Sequence, residues 1–240
     1  MGNIKKIING KEYSEKFLKQ VYTISTNFYK RFNRKPCLAV ILVGDNTASG
    51  IYVKNKVHTA EKNGIKSVKV ILSNKVSEAS LLNEILKLNE DQNVDGILVQ
   101  LPLPVHISEK NIIHSINPMK DVDGFHPINF GKLFIGDPNF VPCTPLGCYY
   151  MLKNELKELS GKNAVIIGRS NIVGKPMASL LLASNCSVTI THSKTKNLRE
   201  HCKKADILIC AVGIPEMVDE TYVKHNAIII DVGINRLQFV

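Results

Sequence analysis

Apolar residues in this chain fall into short runs rich in β-branched side chains. Longer stretches with helical spacing of polar and apolar positions separate them. "CLAVILVG" (37–44), "VKVIL" (68–72) and "VDGILVQLP" (94–102) are continuous enough to predict strands buried on both faces, as in a parallel sheet. Helices are predicted over 10–33, 47–63 and 77–90, the last opened by Ser77 as an N-cap. Strands alternating with helices predict an α/β domain built on a parallel sheet.

The pattern breaks over 102–145, which holds seven of the ten prolines and the stretches "DVDGFHP" and "GDPNFVP". Proline and glycine punctuate turns. The stretch therefore predicts loops, with a short helix near 108–115, at a boundary or cleft between two lobes. The strand–helix rhythm then restarts. A helix is predicted over 151–160, then a strand, tight turn and helix over 163–184 and a strand over 187–193. A basic helix, "KTKNLREHCKK", leads into two more strands at 205–213 and 227–233. The expected organisation is two α/β lobes, 1–145 and 146–240, the second Rossmann-like.

Composition narrows the function classes. Apolar residues are 44% of the 240, enough for a sizeable core, and no window holds eighteen consecutive apolar residues. The opening "MGNIKKIINGKEYSEKF" carries no apolar leader core, so no secretory signal is expected. The six cysteines form no C-x-x-C pair, which predicts reduced, mostly structural thiols in a cytoplasmic protein. No His, Cys and Asp spacing suits a metal, and none is expected. The net charge of +10 is spread along the chain without an aromatic-rich basic stripe. That favours a general attraction for small anions over nucleic-acid binding.

The strongest local signal is "VIIGRSNIVGKP". A buried strand ends at Gly168, and Arg169, Ser170 and Val173 lead into a helix starting near Gly174. In dinucleotide folds such a turn lets backbone approach a pyrophosphate, which the helix N-terminus then attracts. The spacing is not G-x-G-x-x-G, since Ser170 stands where the second glycine is expected, and a plain strand–helix turn remains the alternative. NAD sites usually place an acid about 20 residues past this turn. Here "THSKTK" (191–196) has none. His192, Ser193 and Lys194, with Arg169 across from them, suit a 2′-phosphate, so NADP is favoured.

A further stretch, "SGIYVKNKVHTAEKNG" (49–64), sets Tyr52 and Lys56 one turn apart on a helix face. By spacing alone this could be a solvated surface. In one order along the chain stand "YVKNK" (52–56), "DGILVQLPLP" (95–104), "KDVDGF" (120–125), "PCTP" (142–145), "GRSNIVGKP" (168–176) and "DVGIN" (231–235). Together they closely resemble the bifunctional methylenetetrahydrofolate dehydrogenase/methenyltetrahydrofolate cyclohydrolase family, from the first strand to almost the last residue. The resemblance implies NADP-dependent oxidation of methylenetetrahydrofolate and hydrolysis of the methenyl product to formyltetrahydrofolate, in one site between the lobes. It implies Lys56 as the central catalytic group, Tyr52 along the folate ring, Gln100 holding the lysine and Asp123 on the polar edge of the pterin. It also places Cys143 and Thr144 under the nicotinamide and Ile234 against the cofactor by backbone, and gives His126 no catalytic role. The residue types fit the chemistry, because an amine kept partly dry beside a neutral amide can exchange protons near neutral pH.

The resemblance also carries a departure. Family members continue a few tens of residues past "DVGIN", with a Pro-Gly-Gly-Val-Gly-Pro loop and a last helix returning to the first lobe, whereas this sequence ends at "INRLQFV". A truncated or decaying copy, with apolar surface left on the first lobe, or simply an incomplete sequence, is expected. The alternatives are an inactive homologue that binds nucleotide or a partner subunit, or another two-lobe NADP-dependent dehydrogenase of shikimate type. The resemblance further implies a cytoplasmic homodimer acting in one-carbon metabolism, without nucleic acid or membrane partners.

Overall fold

In the computed structural model, which describes residues 7–233, a 23-residue helix α1 (Gly10–Phe32) leads the chain into its first sheet. Asn9 caps its start by accepting from the Lys11 and Glu12 amides. Asn33 closes its end in the left-handed conformation and returns its N–H to Tyr29. α1 exposes Tyr22, Ile24, Tyr29 and Phe32.

β1 (Cys37–Val43), α2 (Thr47–Lys62), β2 (Lys66–Leu72), α3 (Glu78–Glu90), β3 (Gly96–Val99) and α4 (Glu109–Ser115) follow. The three strands are parallel in the order β2-β1-β3. The alternation along β1 builds two cores. Ala39 and Ile41 pack with Leu81, Ile85, Ile97 and Ile112 on one face. Val40 and Leu42 pack with Val53, Val57 and Leu98 under α2 on the other. Ser77 caps α3 by accepting from the Ser80 amide.

β2 departs from the expected two-sided burial. Its Lys66, Lys69 and Ile71 are exposed. With β1 as its one partner it is an edge strand, and such strands carry lysine on their open side.

The proline-rich stretch departs further. Besides α4 it contains α5 (Pro127–Phe134) and the start of α6 (Cys143–Glu155). Pro127 is the first residue of α5, and Pro145 lies in the first turn of α6. Those positions need no intrahelical N–H, so proline initiates these helices rather than excluding them. The helix expected over 151–160 therefore begins earlier and ends at Glu155.

Residues up to Ile128 form one unit and those from Asn129 another. Position 145/146 falls inside α6. The second unit continues with β4 (Asn163–Ile167), α7 (Gly174–Ala183), β5 (Ser187–Thr191), α8 (Leu198–Cys202), β6 (Ile207–Cys210), a 3₁₀ turn at Glu220–Tyr222 and β7 (Ile228–Asp231). Its strands are parallel in the order β5-β4-β6-β7. Val165, Ile167 and Leu208 pack with Cys202 and Ala205. Ile166, Met177 and Leu181 are fully buried.

Candidate active site

α2 positions the amine because its apolar residues leave little choice of orientation. Val53 and Val57 are buried against the sheet, with Asn46 capping the helix by accepting from Ser49. Tyr52 and Lys56 then lie along one flank, Tyr52 45% exposed and Lys56 half-buried. Gln100 follows β3 directly and extends the ladder, its amide donating to Ile41 O at 2.9 Å. The Gln100 Nε2 donates to Leu101 O at 2.7 Å, which fixes the carboxamide with Oε1 turned the other way. Lys56 Nζ donates to that Oε1 at 3.2 Å. β1 is central and the chain visits β2 on one side before β3 on the other, so Gln100 sits at a point where strand order reverses. Open α/β sheets bind ligands at the carboxyl ends of strands at such points.

The segment carrying Asp123 is held from three directions. Lys120 O accepts from Ile97 N at 2.6 Å, and Asp121 bridges to Ile97 as a further parallel neighbour of β3. Lys120 Nζ donates to Leu88 O, Asn89 O and Asp91 O, satisfying the carbonyl end of α3. Val122 fills the space over Gly96, where a side chain on the glycine would collide with it. Asp123 is partly buried. Desolvation pushes its carboxyl up to about 6, the Lys56 ammonium opposing the rise and Asp121 adding to it. An amine, a neutral amide and a reluctantly ionised carboxyl thus meet at one strand end. The set can donate hydrogen bonds from Nζ and accept them from ring N–H groups at Asp123.

In the second unit the glycine turn also lies at a reversal of strand order, between β4 and β6. Gly168 has φ +120° and passes so close to β6 that a Cβ would stand 2.6 Å from Ala211 O. A side chain at Gly174 would run into the Gly168 carbonyl. Arg169, Ser170, Asn171 and Ile172 are exposed between them. Ser170 Oγ accepts from Val173 N at 3.1 Å and Gly174 N at 3.3 Å, so Val173 leads into α7 under a serine cap. Those bonds occupy the hydroxyl's acceptor side and leave its O–H to donate. Gly168 N donates to Thr191 O, which brings the end of β5 beside the turn. The loop after β5 is tied by His192 N to Thr195 Oγ1 and by Lys194 N to His192 Nδ1. Arg169, His192, Ser193 and Lys194 therefore share one end of the sheet, with no acid in the loop. This donor set, with the dipole of a ten-residue helix behind it, fits a phosphorylated dinucleotide.

Cys143 and Thr144 are the exposed first residues of α6. Ile234 lies outside the described residues. Two residues the sequence reading left without a role stand out. Lys120 anchors the acidic segment to α3, and Asp121, 2% exposed, accepts from His126 N at 2.8 Å. Both stand in the quoted "KDVDGF". Nothing in that string says which aspartate faces inward. Among the described residues no group of three or more His, Cys, Asp or Glu could hold a metal ion.

Comparison with known proteins gives the family. Residues 8–123 match the catalytic domain of tetrahydrofolate dehydrogenase/cyclohydrolase, and residues 142–239 match its NAD(P)-binding domain. The bifunctional protein FolD of Ehrlichia canis is 51% identical over 97% of this chain and 78% of its own length. That of Acetivibrio thermocellus is 50% identical over 97% and 81%. The crystal structure of the bifunctional FolD dehydrogenase/cyclohydrolase from Campylobacter jejuni superposes with a TM-score of 0.94 at 47% identity, covering 97% of this chain and 83% of that one. The Trypanosoma brucei FolD structure, complexed with NADP cofactor and inhibitor, gives 0.90 at 33% identity over 95% and 78%. The chain belongs to the tetrahydrofolate dehydrogenase/cyclohydrolase family.

Proposed function

We propose that this protein oxidises methylenetetrahydrofolate to methenyltetrahydrofolate with NADP, and hydrolyses the methenyl product to formyltetrahydrofolate. The observation that carries the reading is Lys56 Nζ on the neutral carboxamide of Gln100, with the half-buried Asp123 facing the same amine. NADP, when bound, accepts the hydride that the methylene carbon gives up. The residues that hold it are those of the glycine turn and the loop after β5. The Ser170 hydroxyl and the start of α7 receive phosphate, while Arg169, His192 and Ser193 take the 2′-phosphate.

The first unit's residues do the rest. Asp123 accepts hydrogen bonds from the polar edge of the pterin and so fixes its rotation. Tyr52 lies along the ring. Gln100 Oε1 takes one Nζ hydrogen and sets the direction of the amine without fixing it in an ion pair. In hydrolysis, water adds to the methenyl carbon and Lys56 Nζ accepts the proton that the attacking water loses. Nζ then delivers that proton to the ring nitrogen as its bond to the carbon breaks, and the remaining hydroxyl proton leaves to solvent as the formyl C=O forms, so the amine ends as it began and the cation's charge departs as one proton. From the second unit, Cys143 and Thr144 at the start of α6 line the nicotinamide side.

Two further expectations are part of the proposal. Six cysteines outside any disulfide suit a cytoplasmic setting, and among the described residues no helix is long and apolar enough to cross a membrane. A homodimer is proposed as well, to be read by light scattering. The main test is direct. Purified protein should reduce NADP with methylenetetrahydrofolate and bleach the methenyl absorbance. Lys56→Met should abolish methenyl hydrolysis and lower methylenetetrahydrofolate oxidation less, while still binding NADP. Full activity in that variant would remove the assignment.

A further inference from the structure

The wall behind Asp123 is built around a second carboxyl group. Asp121 is 2% exposed, yet it lies two residues from a partly buried acid. Its Oδ2 accepts from His126 N at 2.8 Å, and its backbone O accepts from Gly124 N at 3.1 Å. The chain from 121 to 126 is therefore folded back onto one residue, with Asp123 carried at the turn of that fold. On the other side, Asp121 N donates to Asn117 O, and the Lys120 bonds to α3 hold the base of the loop.

We infer that Asp121 is the positioning residue of the folate site. Its carboxylate closes the loop that carries Asp123, through the bond to the His126 amide. The inference rests on the proposed folate chemistry for its catalytic consequence, but its structural part stands on the loop alone. Direction of effect follows from the groups that face Asp123. Lys56 approaches from α2 and favours the ionised form, while Asp121 on the same segment disfavours it, adding to a larger push from burial. His126 continues the segment, its ring 6.0 Å from that of His114 on α4, and its Nδ1 accepts from Ile128 N. Gln100 adds no charge. A neighbouring carboxylate makes Asp123 slower to give up its proton and quicker to share one with a ligand N–H. The same residue thus supplies geometry and electrostatics.

Two substitutions separate the two contributions. Asp121→Asn keeps an oxygen for the His126 amide and removes the charge. Asp121→Ala removes both and leaves a part-buried N–H without this acceptor. In Asp121→Asn the titration of Asp123, followed by its carboxyl ¹³C signal and assigned with Asp123→Asn, should move to lower pH. The KM for methenyltetrahydrofolate at pH 8 should stay within about threefold, since the loop remains closed. In Asp121→Ala that KM should rise by roughly tenfold or more, with NADP affinity unchanged. An unmoved Asp123 titration in the asparagine variant, or an unchanged KM in the alanine variant, would overturn the inference. Retained NADP binding shows that the second unit has folded, and carboxyl ¹³C signals unchanged outside residues 121–126 show the same of the first. If the parent protein turns over no folate, the proposed function falls, and the carboxyl titration still decides the role of Asp121.

Discussion

Lys56 Nζ and Gln100 Oε1 meet at 3.2 Å across 44 residues of chain, and the partner of the amine is neutral. That neutrality is testable. Gln100→Glu would replace an orienting amide by a charge-assisted bond that holds the lysine as an ammonium. Methenyl hydrolysis needs the proton to leave and return, so its kcat should fall on the order of a hundredfold. Hydride transfer needs no such exchange and should fall less. The ratio of the two activities, measured on one preparation, checks the point. Equal losses would make the amide a packing element only.

Asp123 trades stability for binding. Its carboxyl is raised from 3.8 to about 6, so the folded chain holds this proton more tightly than the unfolded one. The sign follows: this residue's contribution to stability rises as pH falls from 6 towards 4 and is lost as pH rises through 6. Asp123→Asn should therefore raise Tm at pH 8 by a few degrees, ~2–4 °C per kcal/mol recovered. The gain over the parent should vanish near pH 4. Folate binding should move the opposite way, with KM rising in the variant at every pH and rising in the parent below about pH 6 as the acceptor is protonated. Calorimetry and initial rates over that range read both effects.

What the sequence made legible follows from which forces are local. The buried strands β1 and β4, the Ser77 cap and the turn from Gly168 to Gly174 are written in runs of residues that decide their own conformation. The meeting of Lys56 with Gln100 was legible through the order of the motifs. Helical spacing alone left the amine as plausibly in water as in a site. The edge position of β2 was not legible, because strand order is fixed by crossovers far from the strand itself. The starts of α5 and α6 were hidden because proline marks both a turn and a first helical residue. Asp123 was named through the resemblance, while the residue pattern alone does not tell it from Asp121. Their segment joins β3 through a single bridge, so no regular alternation assigns one to the interior.

The glycine turn predicts a local defect. A methyl group at position 174 meets the Gly168 carbonyl, which cannot swing away because Gly168 N is held by Thr191 O. Gly174→Ala should therefore displace the turn at a cost of ~1–3 kcal/mol and weaken NADP binding at least tenfold. The first unit's folate chemistry should survive. Methenyl hydrolysis without added NADP, beside NADP titration by fluorescence, distinguishes a local defect from general unfolding. Normal NADP affinity would show that the close approach can relax.

Cofactor choice should turn on the loop after β5. Arg169 is exposed at the end of β4, and His192, Ser193 and Lys194 lie across from it at the end of β5. No carboxylate there would repel a 2′-phosphate or bond free ribose hydroxyls. Ser193→Asp introduces both effects at once. The loop itself should survive, since it is tied by His192, Lys194 and Thr195 rather than by the serine side chain. An aspartate beside a doubly charged phosphate at partial exposure is worth ~1–3 kcal/mol of discrimination. The ratio of kcat/KM for NADP over NAD should accordingly fall by roughly ten- to a hundredfold. Most of the change should lie in the KM for NADP, because the reacting ring is bound elsewhere. Adding Arg169→Ser should lower the ratio again, and by less than its effect alone if both residues face the same phosphate. Full additivity of the two substitutions would place the phosphate on only one of them.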